Sequence, residues 1–419
     1  MTREEQCNLV LAFARILYVN GQGTEQTLAA ARHLASAFGL RVNISLRWGE
    51  LQLQSEEDSR PLWQVTANPV GVDMNRVASA MRAIDDVAAR RLAPDAALKA
   101  LDTISRLPPS PTWLFSLAAG SGAVAMAVIF GVEHLLDAAM IFVSATAGAC
   151  VRRGLGRLSA NALVQPFCAS LLAGILAAGA FRYQLISSLR IVALSPCVIL
   201  IPGSHVLNGL ADLVNGRVHL GAARLIHAGL IIAAITTGLL LGLVLLGVSL
   251  PLDEATRAVP LWQDIIASAV AVAAFSILFS MPPNLMPWPV IVGTLAHALR
   301  WAAIAMGFSV AAGTLVASLA IGLILMPIAV RRRMPFAAIG FVSVVSMIPG
   351  AYLFTMASGL VQIAEGQETL ELISATMASG TTAMIIILAI SLGLILSKLI
   401  MDYLDERRPQ TDDGRDSKR

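Results

Sequence analysis

Two short segments set helix-breaking residues and hydroxyls inside otherwise apolar sequence. They are Ser195-Pro196-Cys197-Val198-Ile199-Leu200-Ile201-Pro202-Gly203-Ser204 and Ser343-Val344-Val345-Ser346-Met347-Ile348-Pro349-Gly350-Ala351-Tyr352. Proline removes a backbone donor and clashes with the preceding turn, while the neighbouring glycine permits unusual backbone conformations. In a long apolar run such a break frees peptide groups that need new partners, which neighbouring helices or a bound polar molecule can supply. The half-helix ends it creates carry partial charges suited to a carboxylate and an ammonium group. Candidate binding residues are Pro202, Gly203, Ser204 and Asn208 in the first segment, and Ser346, Pro349, Gly350 and Tyr352 in the second. One Pro-Gly alone reads as a packing kink; two in matching positions argue for a shared role.

Ionisable groups near the breaks are the next candidates, because charge within a membrane span is costly and tends to mark a pathway. His205 follows Gly203 by two residues and titrates near neutral pH, so it suits a proton path. Asp212 and Arg224 flank the loop after the first break and are candidates for ion coupling, or for an ion pair holding that loop. His297 and Arg300 read as structural, His134 and His227 as interfacial, and the run Arg331-Arg332-Arg333 as a determinant of topology. The amino-terminal region has no GxSxG elbow, P-loop, GxGxxG or metal-spaced His/Cys set, and its sole histidine is His33. No cofactor and no metal are therefore expected, and a regulatory or assembly role is favoured over an enzymatic one. Cys7, Cys150, Cys168 and Cys197 form no CxxC pair and read as packing residues.

The elements that carry these residues fall into two regimes. The chain is 56% hydrophobic and 14% charged, with a mean hydropathy of +0.72, against about 25% charged residues in an ordinary soluble domain. Residues 1–112 hold 12 basic and 12 acidic side chains, while long stretches beyond Thr112 hold none. The junction lies near Pro108-Pro109-Ser110-Pro111. Before it, helical spacing of Leu9, Val10, Phe13 and Leu17, alternation across Val42–Leu46 and Leu51–Leu53, and renewed helical spacing from Met74 predict an α-α-β-β-β-α-α domain. After it, runs of about 20 apolar residues can each cross a hydrocarbon core. Spans are expected near 113–131, 136–151, 161–180, 187–207, 225–249, 261–281, 286–303, 306–330, 336–360 and 373–401. The expected fold is thus mainly α and polytopic. A soluble α+β domain (1–112) precedes two five-helix membrane repeats (113–251 and 252–402) and a disordered polar tail (403–419).

The first long apolar run starts at Trp113, so the amino-terminal domain is expected in the cytosol. The arginines agree: Arg152, Arg153, Arg157, Arg217, Arg224 and Arg331–Arg333 then lie inside. They outweigh Arg182, Arg190, Arg257 and Arg300 outside, where Glu133, Asp253, Glu254, Glu365, Glu368 and Glu371 also fall. Both termini are cytoplasmic on this reading. Each half carries its Ile-Pro-Gly break in its fourth span, and Gly148 with Arg152 loosely matches Gly293 with Arg300. Five spans is an odd number, so the halves enter the membrane from opposite sides, an inverted repeat typical of transporters. The net charge of +3, without a basic stripe, argues against nucleic-acid binding.

These residues also resemble the bacterial threonine/serine exporter family over nearly the whole chain. The resemblance is carried by Asn20-Gly21, Pro196, Ile201-Pro202-Gly203, Asn208, Asp212, Gly216, Gly221, Arg224 and Ile348-Pro349-Gly350. It implies a secondary exporter of threonine and serine across the bacterial inner membrane, driven by protons or another ion. Homo-oligomerisation is left open. Paired half-size relatives are associated with dicarboxylate export, so a succinate-like substrate is the alternative, ahead of a membrane-anchored enzyme or a receptor. The topology is directly testable: reporters fused at the carboxyl terminus and within Arg331–Arg333 should both report cytosol, and a periplasmic signal at the carboxyl terminus would refute ten spans.

Overall fold

A computed structural model of the chain describes residues 1–55, 62–69, 71–159, 161–251, 259–332, 336–364, 366 and 369–406. Asp253, Glu254, Arg257, Arg333, Glu365, Glu368 and the tail from 407 lie outside the described residues. The soluble domain has the expected order: α1 (Arg3–Val19), α2 (Thr24–Ala37), β1 (Val42–Arg47), β2 (Gly49–Ser55), β3 (Leu62–Ala67), α3 (Met74–Ala88) and α4 (Pro94–Ser105). Thr2 and Glu5 close a reciprocal capping box on α1, satisfying two of its free donors. Pro94 opens α4, where its missing N–H costs nothing. The strands form one antiparallel sheet in the order β1-β2-β3, with Ile44 opposite Leu53 and Arg47 opposite Glu50. That register leaves Trp48-Gly49 as a two-residue turn, and Gly49 takes a φ of 89° that residues with a Cβ rarely adopt. Alternate strand residues Ile44, Leu51 and Leu53 join Phe13, Leu17, Leu34 and Ile84 in the core.

The membrane part follows as α5 (Thr112–Ile129), α6 (Leu135–Leu158), α7 (Val164–Arg182), α8 (Leu189–Val198), α9 (Gly203–Val214) and α10 (Val218–Val244). The second half comprises α11 (Leu261–Leu278), α12 (Pro287–Ala305), α13 (Val310–Arg332), α14 (Phe336–Val344) with the 3₁₀ turn Val345–Met347, α15 (Gly350–Ala364) and α16 (Leu370–Glu406). Among the described residues, eight helices are long and apolar enough to cross a membrane, and two bent pairs raise the number to ten. The protein is a multi-pass membrane protein. The last helix runs to Glu406, four residues into the segment expected to be a polar tail.

Packing repeats between the halves. In the first, α5 packs on α6, α6 on α7, α7 on α10 and α10 on α9; in the second, α11 packs on α12, α12 on α13, α13 on α16 and α16 on α15. The repeats meet through α5 against α11, the first helix of each. An odd number of spans per repeat makes them antiparallel across that contact. Within each half the tightest pair is made by small residues. Gly238 and Gly242, one turn apart on α10, lie against the backbone of α7 at Phe167 and Leu171, and Gly174 faces back at Leu239 and Gly242. In the second half Gly322 meets Ser397, and Gly393 meets Ser318 and Leu319. Lipid offers no hydrophobic drive for helix association, so close backbone approach supplies the van der Waals contact instead. Gly242→Val is expected to destroy this seam, because the opposing atoms are backbone and cannot move aside. The same change at Gly229, which has open space around it, should be silent. Size-exclusion profiles and melting of the detergent-solubilised variants check the contrast.

Candidate functional site

The two breaks share one backbone device. After α8 ends, Leu200 N–H donates to Cys197 and Ile201 N–H to Val198, and Gly203 N–H then turns back to the Ile201 carbonyl at 2.9 Å around Pro202. In the second half Gly350 N–H donates to the Ile348 carbonyl at 2.8 Å around Pro349. The prolines thus sit at the centre of tight three-residue turns, and α9 and α15 both begin at the glycine. The bends are 64° and 54°.

The breaks also meet. A Cβ on Gly203 would collide with Ile348 and touch Phe341, and one on Gly350 would collide with Ile201 and touch Val198. Each glycine therefore lies against the isoleucine of the opposite Ile-Pro-Gly, although the two are far apart in sequence. Ser204 and Ser346 are buried beside them, and Ser346 Oγ has no hydrogen-bond partner among the described residues. Tyr352 is half-buried, two residues into α15. A small cavity of about 20 Å³ adjoins the first break, lined by Pro196, Ile199 and Leu200 and by Ser144, Gly148 and Arg152 of α6. The buried Ser144 Oγ is likewise unpaired among the described residues.

The ionisable candidates lie where the soluble domain docks. Asp212 and Arg224 are 2% and 1% exposed, with Arg224 Nε 3.1 Å from Asp212 Oδ2. The N–H is not aligned for a hydrogen bond, so the contact is an ion pair. Thr24 Oγ1 of the soluble domain donates to the same Asp212 oxygen at 2.9 Å. The Tyr18 ring lies 5.2 Å from the Arg224 guanidinium carbon, and its hydroxyl donates to the Arg47 carbonyl at 3.1 Å. Burial pushes the Tyr18 hydroxyl up to about 12, partly opposed by the Arg224 charge, so it stays a neutral donor. At the rim Arg217 donates to Glu25, a bond that holds the Glu25 carboxyl below its ordinary range. Asn208 Nδ2 donates to the Gly21 carbonyl at 3.3 Å. The hairpin tip completes the joint: the Trp48 ring lies 6.1 Å from His205 and 5.0 Å from His227, and the two imidazoles are 5.0 Å apart. His227 is thus part of this stack, whereas His134 is exposed.

Sequence reasoning missed three groups here. Thr24, Tyr18 and Trp48 carry no motif, and only the docking reveals them. Ser144 was hidden among the small residues of α6. Asp264 was missed as well, although an acid inside the sixth apolar run is a signal that could have found it; it is buried against His297, and Arg300 donates to Thr314 Oγ1 at 3.0 Å.

Repeated five-helix units whose fourth spans break at one meeting point define a polytopic membrane protein of transporter architecture. A threonine/serine exporter family model matches residues 8–246, and a second, Threonine/Serine exporter, ThrE, matches residues 264–400. The chain belongs to the threonine/serine exporter family. A protein of Mycobacterium tuberculosis named "Probable threonine/serine exporter" is 23% identical over 390 residues, which cover 86% of this chain and 73% of the relative. No solved structure matches the chain.

Removing one partner of a buried ion pair leaves the other uncompensated, at about 3–5 kcal/mol. Arg224→Leu should therefore sharply lower the melting temperature and loosen the soluble domain to protease, and adding Asp212→Leu should restore much of the loss. Equal damage in the single and double variants would show that the pair is not coupled. The Glu25–Arg217 contact, whose carboxyl pKa is depressed, should contribute at neutral pH and be lost as pH falls through the folded-state value.

Proposed function

We propose that this protein is a secondary active exporter that moves threonine and serine out of the cytosol across the bacterial inner membrane, driven by protons, with both termini and the soluble domain cytoplasmic. The observation that carries this reading is the meeting of the two Ile-Pro-Gly breaks, each glycine against the other break's isoleucine. Family membership and the name of the mycobacterial relative supply the substrate class.

On this reading the breaks are the two walls of one substrate site. The amino-terminal ends of α9 and α15 start at Gly203 and Gly350 and take the substrate carboxylate, as helix amino termini do. The carbonyls freed around Pro202 and Pro349 take the ammonium, and Ser204, Ser346 and Tyr352 read the substrate hydroxyl. The tight packing of glycine on isoleucine is then the closed arrangement, and alternating access separates the two walls. Asn208 acts from the same half-helix by tying it to the soluble domain. Asp212 and Arg224 couple that domain to the gate, and His205 offers a proton route on its side of the break.

The test is counterflow of labelled threonine, serine and succinate in proteoliposomes holding the full chain. Threonine and serine should accumulate and succinate should not; the opposite pattern would replace the amino-acid reading with the dicarboxylate one. Gly203→Leu and Gly350→Leu should each abolish counterflow without loss of folded protein. Alanine should do less, because Ile348 Cδ1 and Ile201 Cδ1 end flexible side chains that can swing aside at a cost of about 1–3 kcal/mol. Leucine variants that bind and transport like the wild type would refute a shared site.

A further inference from the structure

The second half buries a titratable pair that the breaks and the docking joint do not use. Asp264 of α11 and His297 of α12 are 4% and 2% exposed, and His297 Nδ1 lies 2.7 Å from Asp264 Oδ2. His297 Nε2 is also buried and has no hydrogen-bond partner among the described residues. Leaving a buried ring nitrogen without a partner is costly, so a histidine kept only to satisfy a carboxylate is expected to have this nitrogen bonded as well. Instead the ring presents a buried, unpartnered nitrogen with its opposite nitrogen held by a carboxylate, which fixes the orientation of the ring.

Its place in the fold links it to the second break. The soluble-domain end of α11 is marked by Phe279, whose carbonyl accepts from Met74 N–H. Asp264 lies 15 residues back, roughly 22 Å at 1.5 Å per residue, and so in the half of the membrane remote from that domain. Gly293, one turn from His297 on the same face of α12, is packed against the Ser343 carbonyl of α14, with only 3.0 Å left for a Cβ. Arg300 interacts electrostatically with both Asp264 and Tyr352, and Tyr352 follows Gly350 by two residues. The other elements packed on α11 and α12, which are α5, α14, the 3₁₀ turn and α13 as far as Ala329, contribute no titratable side chain. Among the described residues, the titratable groups facing the pair are thus Arg300 and the Tyr352 hydroxyl. On the Gly148/Gly293 register the first half has Arg152 where the second has His297, a permanent cation in place of a switchable one.

We propose that Asp264 and His297 form the proton-carrying site of the exporter, with His297 Nε2 taking the proton from water on the face remote from the soluble domain and yielding it to water on the other. This inference rests on the proton-coupled reading above. With His297 neutral, its Nδ1–H donates to the Asp264 carboxylate, and Arg300 balances the charge. Proton uptake at Nε2 makes an imidazolium–carboxylate pair and leaves one net positive charge beside the second break. With the substrate ammonium held at the carbonyls freed around Pro349, nearest the pair, and its carboxylate toward the α9 amino terminus, that charge disfavours the bound ammonium, and by reciprocity substrate bound in this orientation favours loss of the proton. Proton and amino acid therefore occupy the membrane domain alternately, as antiport requires.

The experiment compares two fluxes of labelled threonine in proteoliposomes of the full chain: counterflow without a pH gradient, and net transport under an imposed one. In the wild type the gradient should stimulate net transport several-fold; in His297→Gln and Asp264→Asn that stimulation should be lost, with counterflow slowed but measurable. Wild-type stimulation in both variants would overturn the proposal while leaving proton-coupled export intact. Wild-type counterflow with no gradient response would overturn proton coupling, and this site with it. Should either variant fail to fold, Asp264→Glu decides: it keeps the carboxylate and should keep the stimulation with a shifted pH midpoint, and an unshifted midpoint would overturn the proposal.

Discussion

Every peptide group in hydrocarbon needs a hydrogen-bond partner within the protein, since an unsatisfied one costs several kcal/mol. This constraint makes the membrane part a set of unbroken helices wherever it faces lipid, and it makes each interruption conspicuous. Here both interruptions are resolved locally, by Gly203 N–H turning back to Ile201 and Gly350 N–H to Ile348, so the chain tolerates them at little cost in the closed arrangement. Because the repair is local, it leaves two helix amino termini at the junction of the repeats. On the proposed reading a structural kink and a substrate site thus share one geometry.

The repeats agree in backbone and differ in polar equipment. Both use small residues to bring their third and fifth spans together, Gly174, Gly238 and Gly242 in one half and Ser318, Gly322, Gly393 and Ser397 in the other. Yet the first half places Arg152 on a cavity by its break, whereas the second buries Asp264 against His297. Two identical halves would treat the two sides of the membrane alike. Directional export needs some difference between them, and it is in these side chains that the halves diverge.

The soluble domain is built into this arrangement. Its contact with α9 and α10 is centred on Arg224, the largest fully buried side chain among the described residues. A buried charge is tolerated only when paired and hydrogen-bonded. Asp212 supplies the opposite charge, Thr24 occupies the same carboxylate and the Tyr18 ring covers the guanidinium. Two of the four groups come from each side, so undocking would expose Asp212 and Arg224 together and break the Thr24 bond. Whatever moves α9 must therefore move against, or together with, the domain whose Trp48 rests on His205.

Hydropathy and periodicity by themselves determined the two regimes, the α-α-β-β-β-α-α order, the ten-span layout and the paired breaks, because these depend on local composition and on helix-breaking chemistry that acts within one turn. Asp264 carried a legible signal too, an acid in an apolar run, but only its burial against His297 singles it out. What local sequence could not carry was which residues meet: Ile348 on Gly203 and Ile201 on Gly350, Thr24 on Asp212, His297 on Asp264, Trp48 on a histidine pair more than 150 residues away. Those contacts join segments with no shared periodicity, and their partners are chosen by how the helices cross and by the docking of one domain on another. The tertiary structure decided them because buried charge and close backbone approach are satisfied only by specific neighbours, and neighbours are a property of the packed whole.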